Sequence, residues 1–199
     1  MAIITGLTGD TETNLQLDAG MLISGVTETT FESNPQWSTI LKTGVLGATK
    51  GGATFTATPE FRSLMDGVNG ARGNYKDGQI IDSWDISLKA TISEMTKENI
   101  KIAMGQKVEE KEVKGNLMKH TAKVGIIPTD AFINGVAWVG TIKGKTNPMV
   151  ILLKDVLNTN GVNFVAEDKG TGAIELELKA HFDLSKSDDV PFAIYTPTL

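Results

Sequence analysis

The chain has 199 residues, 40% of them hydrophobic and 22% charged, with a formal net charge of −5. That composition suits a folded domain long enough to bury its own core, and excludes a disordered chain. There is no cysteine. Disulfides, zinc–thiolate centres and cysteine nucleophiles are therefore excluded, and a reducing cytoplasm is the fitting place of synthesis.

Charge is unevenly placed along the chain. Residues 1–36 carry five acids and no base, residues 37–166 carry a net of +4, and residues 167–199 a net of −4. One reading is a solvated surface with chance clustering; the other is head-to-tail complementarity between copies. Neither matches the strongly basic footprint of a nucleic-acid binder. The first residues, MAIITGLTGDTE, have no basic region followed by an apolar run. The longest strongly apolar run, Met149 to Leu153, is far short of a bilayer span. The expectation is a chain without a cleaved signal and without membrane insertion.

The dominant period is two, so the predicted elements are strands. In chain order they begin with 15–18, 21–26 and 38–45, then Ala53 to Thr58, where Phe55 faces away from a threonine row at 54, 56 and 58. Residues 59–79 are irregular and rich in glycine, the pattern of a functional or mobile loop. From Ile80 to Ser93 a long strand puts Trp84, Ile86, Leu88, Ala90 and Ile92 on one face and Asp85, Ser87, Lys89 and Thr91 on the other. One helix follows, Lys97 to Met104, with Thr96 as its cap and Gly105 as its left-handed stop. The run 108–114 is charged and fits helix, strand or loop. Strands are then expected at 117–126, 133–143, 149–157 and 162–167, with Asn160-Gly161 as a two-residue hairpin turn. From Ile174 to Leu184 the alternation is strict: Glu175, Glu177, Lys179, His181 and Asp183 share the wet face. A last strand falls at 192–196. The fold class is mainly β: two packed antiparallel sheets, a β-sandwich or partial barrel, with one short flanking helix and a long Gly-rich loop. No linker divides residues 1–199, which read as one domain.

Motif-bearing chemistry is missing. Gly144-Lys145-Thr146 ends like a phosphate-binding loop, but position 139 is valine and a strand, not a helix, follows. Gly67, Gly70 and Gly73 do not have dinucleotide-loop spacing. His120 and His181 are far apart, and His181 reads as a solvated residue on a polar strand face. Asp188-Asp189 and Glu109-Glu110 lack calcium-loop spacing. Aromatic residues are 6%, too few for a stacking platform. Trp84 and Trp138 read as core, and Trp37 as a loop-edge residue. No catalytic residue, cofactor or metal is expected.

Several stretches carry a family likeness. Leu46-Gly47-Ala48-Thr49-Lys50-Gly51-Gly52 leads into Thr54-Phe55 and Pro59-Glu60-Phe61-Arg62, followed by Asp66-Gly67 and the glycines of NGARGN. Leu17-Asp18-Ala19-Gly20 lies near one end, and Asp189-Val190-Pro191-Phe192-Ala193-Ile194-Tyr195-Thr196-Pro197 near the other. Together these resemble the major tail tube proteins of long-tailed bacteriophages. The stretch 106–170 adds only compatible strands.

The resemblance implies a β-sandwich subunit with a helix at its side. It implies homohexameric rings stacked into a tube, with strands of each copy joining a barrel around a lumen for DNA ejection. It also implies a virion protein made in the bacterial host cytoplasm. Partners would be further copies, a tape measure protein, and tail terminator and baseplate proteins, with viral DNA passing non-specifically. A long loop would reach the next ring. That loop maps to about 46–79, with Lys50, Arg62, Asp66, Arg72, Lys76 and Asp77 as contact candidates. Lumen candidates are the face of Glu175, Glu177, Lys179 and Asp183, or the face of Asp85 and Lys89. The alternative is a β-sandwich binding or adhesion module.

Overall fold

Side-chain alternation decides this architecture, because successive strand residues point to opposite faces. The computed structural model describes residues 6, 8, 10–33, 35–71, 73, 75–105, 108–166 and 168–198. The strands are β1 Gln16–Ser24, β2 Thr49–Ser63, β3 Gln79–Ile92, β4 Glu109–Val113, β5 Leu117–Thr121, β6 Ile133–Ile142, β7 Met149–Asn158, β8 Asn163–Val165, β9 Ala173–Ala180 and β10 Phe192–Tyr195. The helices are α1 Glu28–Glu32, α2 Trp37–Ile40 and α3 Lys97–Met104. The mainly β expectation holds: a curled antiparallel sheet, a small second sheet and few helices.

The large sheet runs β1-β6-β7-β9-β3-β2, with β10 on β7 and β8 on β9. Strand β7 changes partner along one edge. Its residues 150–153 pair with β10, and residues 156–158 pair with β9. Strand β9 does the same, with β8 on 173–175 and β7 on 178–180. The sheet therefore has two four-stranded arms, β1-β6-β7-β10 and β2-β3-β9-β8, joined through a three-residue ladder. The arms fold over one another around Leu22, Trp138, Ile151 and Leu153 from one side and Ile86, Leu88, Leu176 and Leu178 from the other. The two packed layers are thus arms of one sheet rather than separate sheets. Its end strands come close: a methyl on Gly52 of β2 would lie 3.7 Å from the Ala19 Cβ of β1.

Strands β6 and β7 are buried on both faces. Val136, Trp138, Ile151 and Leu153 face the other arm, whereas Ala137, Val139, Val150 and Leu152 face a second cluster with Ile23, Phe31 and Ile40. Helices α1 and α2 supply that cover. This overturns the strand expected at 38–45: Ile40 is buried on the outer side by a helical turn, and only Val45 bridges to Ile23. Trp37 is in α2 and packs against Phe31 at 6.1 Å, not at a bare loop edge.

The strands expected at 15–18 and 21–26 are one strand with a bulge between Leu17 and Met21. Asp18 (φ 61°) and Gly20 (φ 71°) make it. The bulge wraps Trp138, whose indole N–H donates to Ala19 O at 2.9 Å. A methyl on Gly20 would sit 2.6 Å from the indole Cε2, and one on Gly140 2.5 Å from Cζ2. The ring therefore fits only because both its neighbours are glycine.

Helix α3 matches its predicted span. The Thr96 hydroxyl accepts from Asn99 N–H at 3.1 Å, and Gly105 stops the helix at φ 63°. Buried Asn99 donates to Leu46 O and Glu94 O at 2.7 and 2.9 Å. Asn158, also buried, donates to Ala103 O and accepts from Glu177 N–H. Two asparagines thus lock α3 across the end of the arms, satisfying backbone groups that burial would otherwise strand. The charged run at 108–114 is β4, paired with β5 in the second sheet. Asn160-Gly161 is no two-residue hairpin. Strand β8 pairs with β9 instead of β7, and among the described residues only Gly161 of that pair has positive φ.

Gly140→Ala is expected to destabilise the fold by about 1–3 kcal/mol through overpacking against Trp138. Urea unfolding followed by tryptophan fluorescence measures it, with Gly6→Ala, where φ is not positive and the added methyl meets nothing, as the control.

Candidate functional site

The strict alternation of β3 and β9 carries their polar residues to the outside of the second arm. In the ladder Lys89 lies opposite Glu177, Thr91 opposite Glu175, and Ser87 opposite Lys179. On the other side Thr54, Thr56 and Thr58 of β2 lie opposite Lys89, Ser87 and Asp85. The two alternative lumen faces are therefore a single face. Its charges pair across strands: Lys89 Nζ to Glu177 at 3.3 Å and Lys179 Nζ to Asp85 at 3.1 Å. Glu175 accepts from the Asn163 amide of β8 at 2.6 Å. Three carboxylates against two ammonium groups leave this five-residue set with one negative charge. It is a polar, nearly self-neutralised wall of four strands, in which β2 pairs β3 alone and β8 pairs β9 alone among the described ladders.

Asp183 does not belong to that wall. Strand β9 ends at Ala180, and the Asp183 carboxylate turns back to accept from Ser185 N–H and Oγ at 2.9 and 2.8 Å. Those bonds, the backbone one foremost, hold its carboxyl below the usual range. His181 is likewise not a solvated strand residue. It packs edge-on against Phe132 at 5.1 Å, with Nδ1 3.2 Å from Asp155 O. The regular pattern runs on past Ala180 only in sequence, because the chain leaves the sheet where β7 turns away.

The glycine-rich segment is not one loop. Residues 49–63 are β2, whose ladder with β3 is the longest among the described residues, and the described residues between Ser63 and Gln79 form the tip. From Ala53 onward the threonines and alternating apolar residues pair across the ladder, whereas Gly51 and Gly52 fall in the register shift between Thr49 and Ala53. This separates the contact candidates. Lys50 sits at the base of β2, beside the consecutive positive-φ glycines 51 and 52. Arg62 lies twelve residues further along β2, which is up to about 40 Å for an extended strand. Asp66, Lys76 and Asp77 are exposed on the tip, and Arg72 lies outside the described residues.

Arg62 is bound to a residue that sequence reasoning missed. Its guanidinium donates twice to Asp82, Nε at 2.8 Å and Nη2 at 3.1 Å, and holds that carboxyl below the ordinary range. Next to it Ser83 Oγ donates to Glu60 at 2.6 Å. The bulge between Glu60 and Phe61 puts Phe61 opposite Ile81 where the hairpin leaves the body. Phe61 is 63% and Ile81 48% exposed, and Leu64, Met65, Val68 and Tyr75 are exposed beyond them. The signal was present in the sequence: Phe61 continues the parity of Phe55, Ala57 and Pro59 beyond the point where a core remains to cover it.

Two further clefts lie away from the wall and the hairpin. One, of about 160 Å³, includes Phe31, Trp37 and Tyr195 among prolines. Its polar tips are already engaged, Trp37 Nε1 with Asn147 Oδ1 at 3.2 Å and Tyr195 OH with Glu32 at 3.3 Å. The other, of about 320 Å³, holds Phe132, Asp155, His181 and Asp183. There burial first, and Asp183 second, push the Asp155 carboxyl up. Among the described residues no group of three or more His, Cys, Asp or Glu side chains is placed to hold a metal ion. No helix among them is long and apolar enough to cross a membrane.

Lys154 clamps the outer layer. It is 16% exposed and bridges Glu28 of α1 at 3.2 Å and Asp189 before β10 at 2.8 Å. Burial opposes its charge, but the two carboxylates raise its pKa above the ordinary 10.5. The sign follows from a raised pKa: this stabilisation is full below about 10.5 and is lost as pH climbs through the folded value. Lys154→Met is expected to cost about 1 kcal/mol at neutral pH, discounted for the exposure of both acids. Thermal melts at pH 7 and pH 11.5 check it, the difference from the parent shrinking at the higher pH. Tyr195 is pushed up to about 12 by burial, then by Glu32 and Glu28. Tyr195→Phe is expected to remove that high-pH component from the ultraviolet titration of the folded protein, and Glu32→Gln to move it down.

No protein-family model and no curated protein sequence matches this chain.

Proposed function

We propose that this chain is a non-catalytic structural protein that self-assembles into stacked rings, a tail-tube subunit of a long-tailed phage. The observation that carries the reading is the four-stranded arm β2-β3-β9-β8. Its outer face is polar and nearly neutral, with charges paired across strands. Its edge strands are β8 and β2, and apart from the Gly52 end that approaches β1 they are open to neighbouring copies. Joining such arms edge to edge makes a closed wall and removes open edges, which are a liability in an isolated sheet. A polar wall with little net charge presents no cationic grip to a polyanion, so DNA passes without sticking.

The β2-β3 hairpin supports the same reading. It projects beyond the core with the exposed Phe61/Ile81 pair and an apolar tip. Such a surface is expected to be covered in an assembly. In the stacked tube the hairpin tip is the contact between rings, Arg62 is held in place by Asp82, and Lys50 belongs to the base of the wall. Sixfold rings, a virion location, a tape measure protein and terminator and baseplate contacts belong to this proposal through the family likeness. The adhesion-module alternative would rest on the aromatic cleft at Trp37 and Tyr195. The internal hydrogen bonds of both side chains favour a structural role for it instead.

Replacing residues 64–78 by a two-residue turn tests the reading. The expected protein is folded, with an unchanged circular dichroism spectrum, because the tip adds nothing to the core clusters. Negative-stain images are expected to show tubes for the parent and none for the variant. A parent that stays monomeric over the whole accessible concentration range, with and without salt, would sink the proposal. Phe61→Asp on the intact hairpin is expected to block tubes in the same way while leaving the monomer melting temperature within a few degrees.

A further inference from the structure

The small β4-β5 sheet has one covered face and one open face. On the covered side Glu110 meets Lys97 and Lys101 of α3, each at 3.2 Å. On the open side Lys111 lies directly opposite Lys119 in the ladder, both exposed. Like charges directly opposed on one face repel. The same face carries Leu117 at 64% exposure beside Val113. From residue 113 to 129 the chain has Lys114, Lys119 and Lys123 and no acid. Glu109, on the same face, pairs with Lys123 at 2.9 Å and also feels Lys119, so with Lys111, Lys119 and Lys123 the face keeps a net of two positive charges.

An opposite surface exists elsewhere on the same chain. Glu28 and Glu32 are four apart on α1, another like-charge repulsion. Asp189 shares Lys154 with Glu28, and Asp188 is its neighbour. With Lys186 counted, four carboxylates there face two ammonium groups. The acidic segments at the two ends of the sequence thus meet in one rim. No hydrogen bond or ion pair of the described residues joins this rim to β4-β5. The small sheet hangs from the Asn158 end of β7 through α3, while the rim runs from Lys154 to the Val150 end, where Tyr195 carries Glu32. Eight residues of strand separate those ends, about 26 Å.

We propose that the open face of β4-β5 is a self-association surface that docks on the α1/β10 acidic rim of a second copy. Two mutually complementary faces at separate places on one chain make a heterologous, head-to-tail contact. Each repulsion within the monomer is relieved by the other. The contact does not depend on the tube reading, since an associating binding module would use it equally.

Charge swapping tests it on the full chain. Sedimentation equilibrium of the parent at low salt is expected to show association that weakens steeply between about 50 and 500 mM salt as screening shortens. Lys111→Glu/Lys119→Glu, and separately Glu32→Lys/Asp188→Lys, are each expected to weaken self-association at least tenfold. Mixing the two variants is expected to restore the association that neither shows alone, because each variant's face then meets a rim of opposite charge on the other. If either variant proves unfolded by circular dichroism, Lys111→Gln/Lys119→Gln is measured in its place, with the same loss expected. Unchanged association of the folded swap variants, or a mixture that fails to associate, overturns the proposal. Running the swap on protein with the 64–78 tip replaced separates the two ideas: tubes are then absent, and the association of the mixed variants still returns.

Discussion

The whole fold depends on β6 and β7 burying both faces at once. A strand buried on both sides has to satisfy two apolar layers with alternate residues, and this pair does so residue by residue. Val136 and Trp138 go to one side, and Ala137 and Val139 to the other. Once both sides are occupied, everything else is placed. The second arm must close over one side, and α1 with α2 must cover the other. Trp138 is the least adjustable part, because its ring fills the space left by two glycines and its N–H has one partner in the bulge.

The change of partner along β7 links that core to the exterior. Because β10 takes one stretch of the edge and β9 the next, the sheet curls and sends a four-stranded arm outward with one side free. The free side is polar. The covered side is Ile86, Leu88, Ile174, Leu176 and Leu178. Core packing on one face thus fixes the rotation of the arm and so the placement of every charge on the other face. Cross-strand pairing then cancels most of that charge. A wall of this kind suits passage or sliding better than binding, which is why its neutrality matters more to the proposed role than the net charge of the chain.

The projecting hairpin and the small sheet are of a different character. Neither contributes to the main clusters, and both expose apolar residues: Phe61 and Ile81 on one, Leu117 on the other. A two-stranded ribbon is marginal on its own. The hairpin is steadied by the continuation of its ladder into the core, and the small sheet by the ion pairs from α3 to Glu110. Their outer surfaces are the parts of the molecule that the monomer does not explain, and the proposed assembly would give both a physical reason.

Much of this was legible in the residues. Alternation over 80–93 and 174–184 predicted both long strands and their wet faces, although the second ends at Ala180, and Thr96 with Gly105 predicted α3, because these are local consequences of strand and cap geometry. Local pattern likewise set the mainly β class, helix α3, and the apolar-face placement of Trp84 and Trp138. It could not show that the faces of β3 and β9 are one face, since register between distant strands is set by packing and not by local pattern. It misplaced residues 38–45, because a short apolar run fits a helical turn as well as a strand when the surface it covers lies far away in the chain. It extended one glycine-rich loop over 46–79, because the pairs that hold β2 from Ala53 to Ser63 are made with β3 and are not visible in local pattern. Only the tertiary structure decided that Asp183 leaves the sheet, that Arg62 has Asp82 as its partner, and that acids from both ends of the chain meet beside Lys154. Each of these is a contact between residues that nothing local holds together.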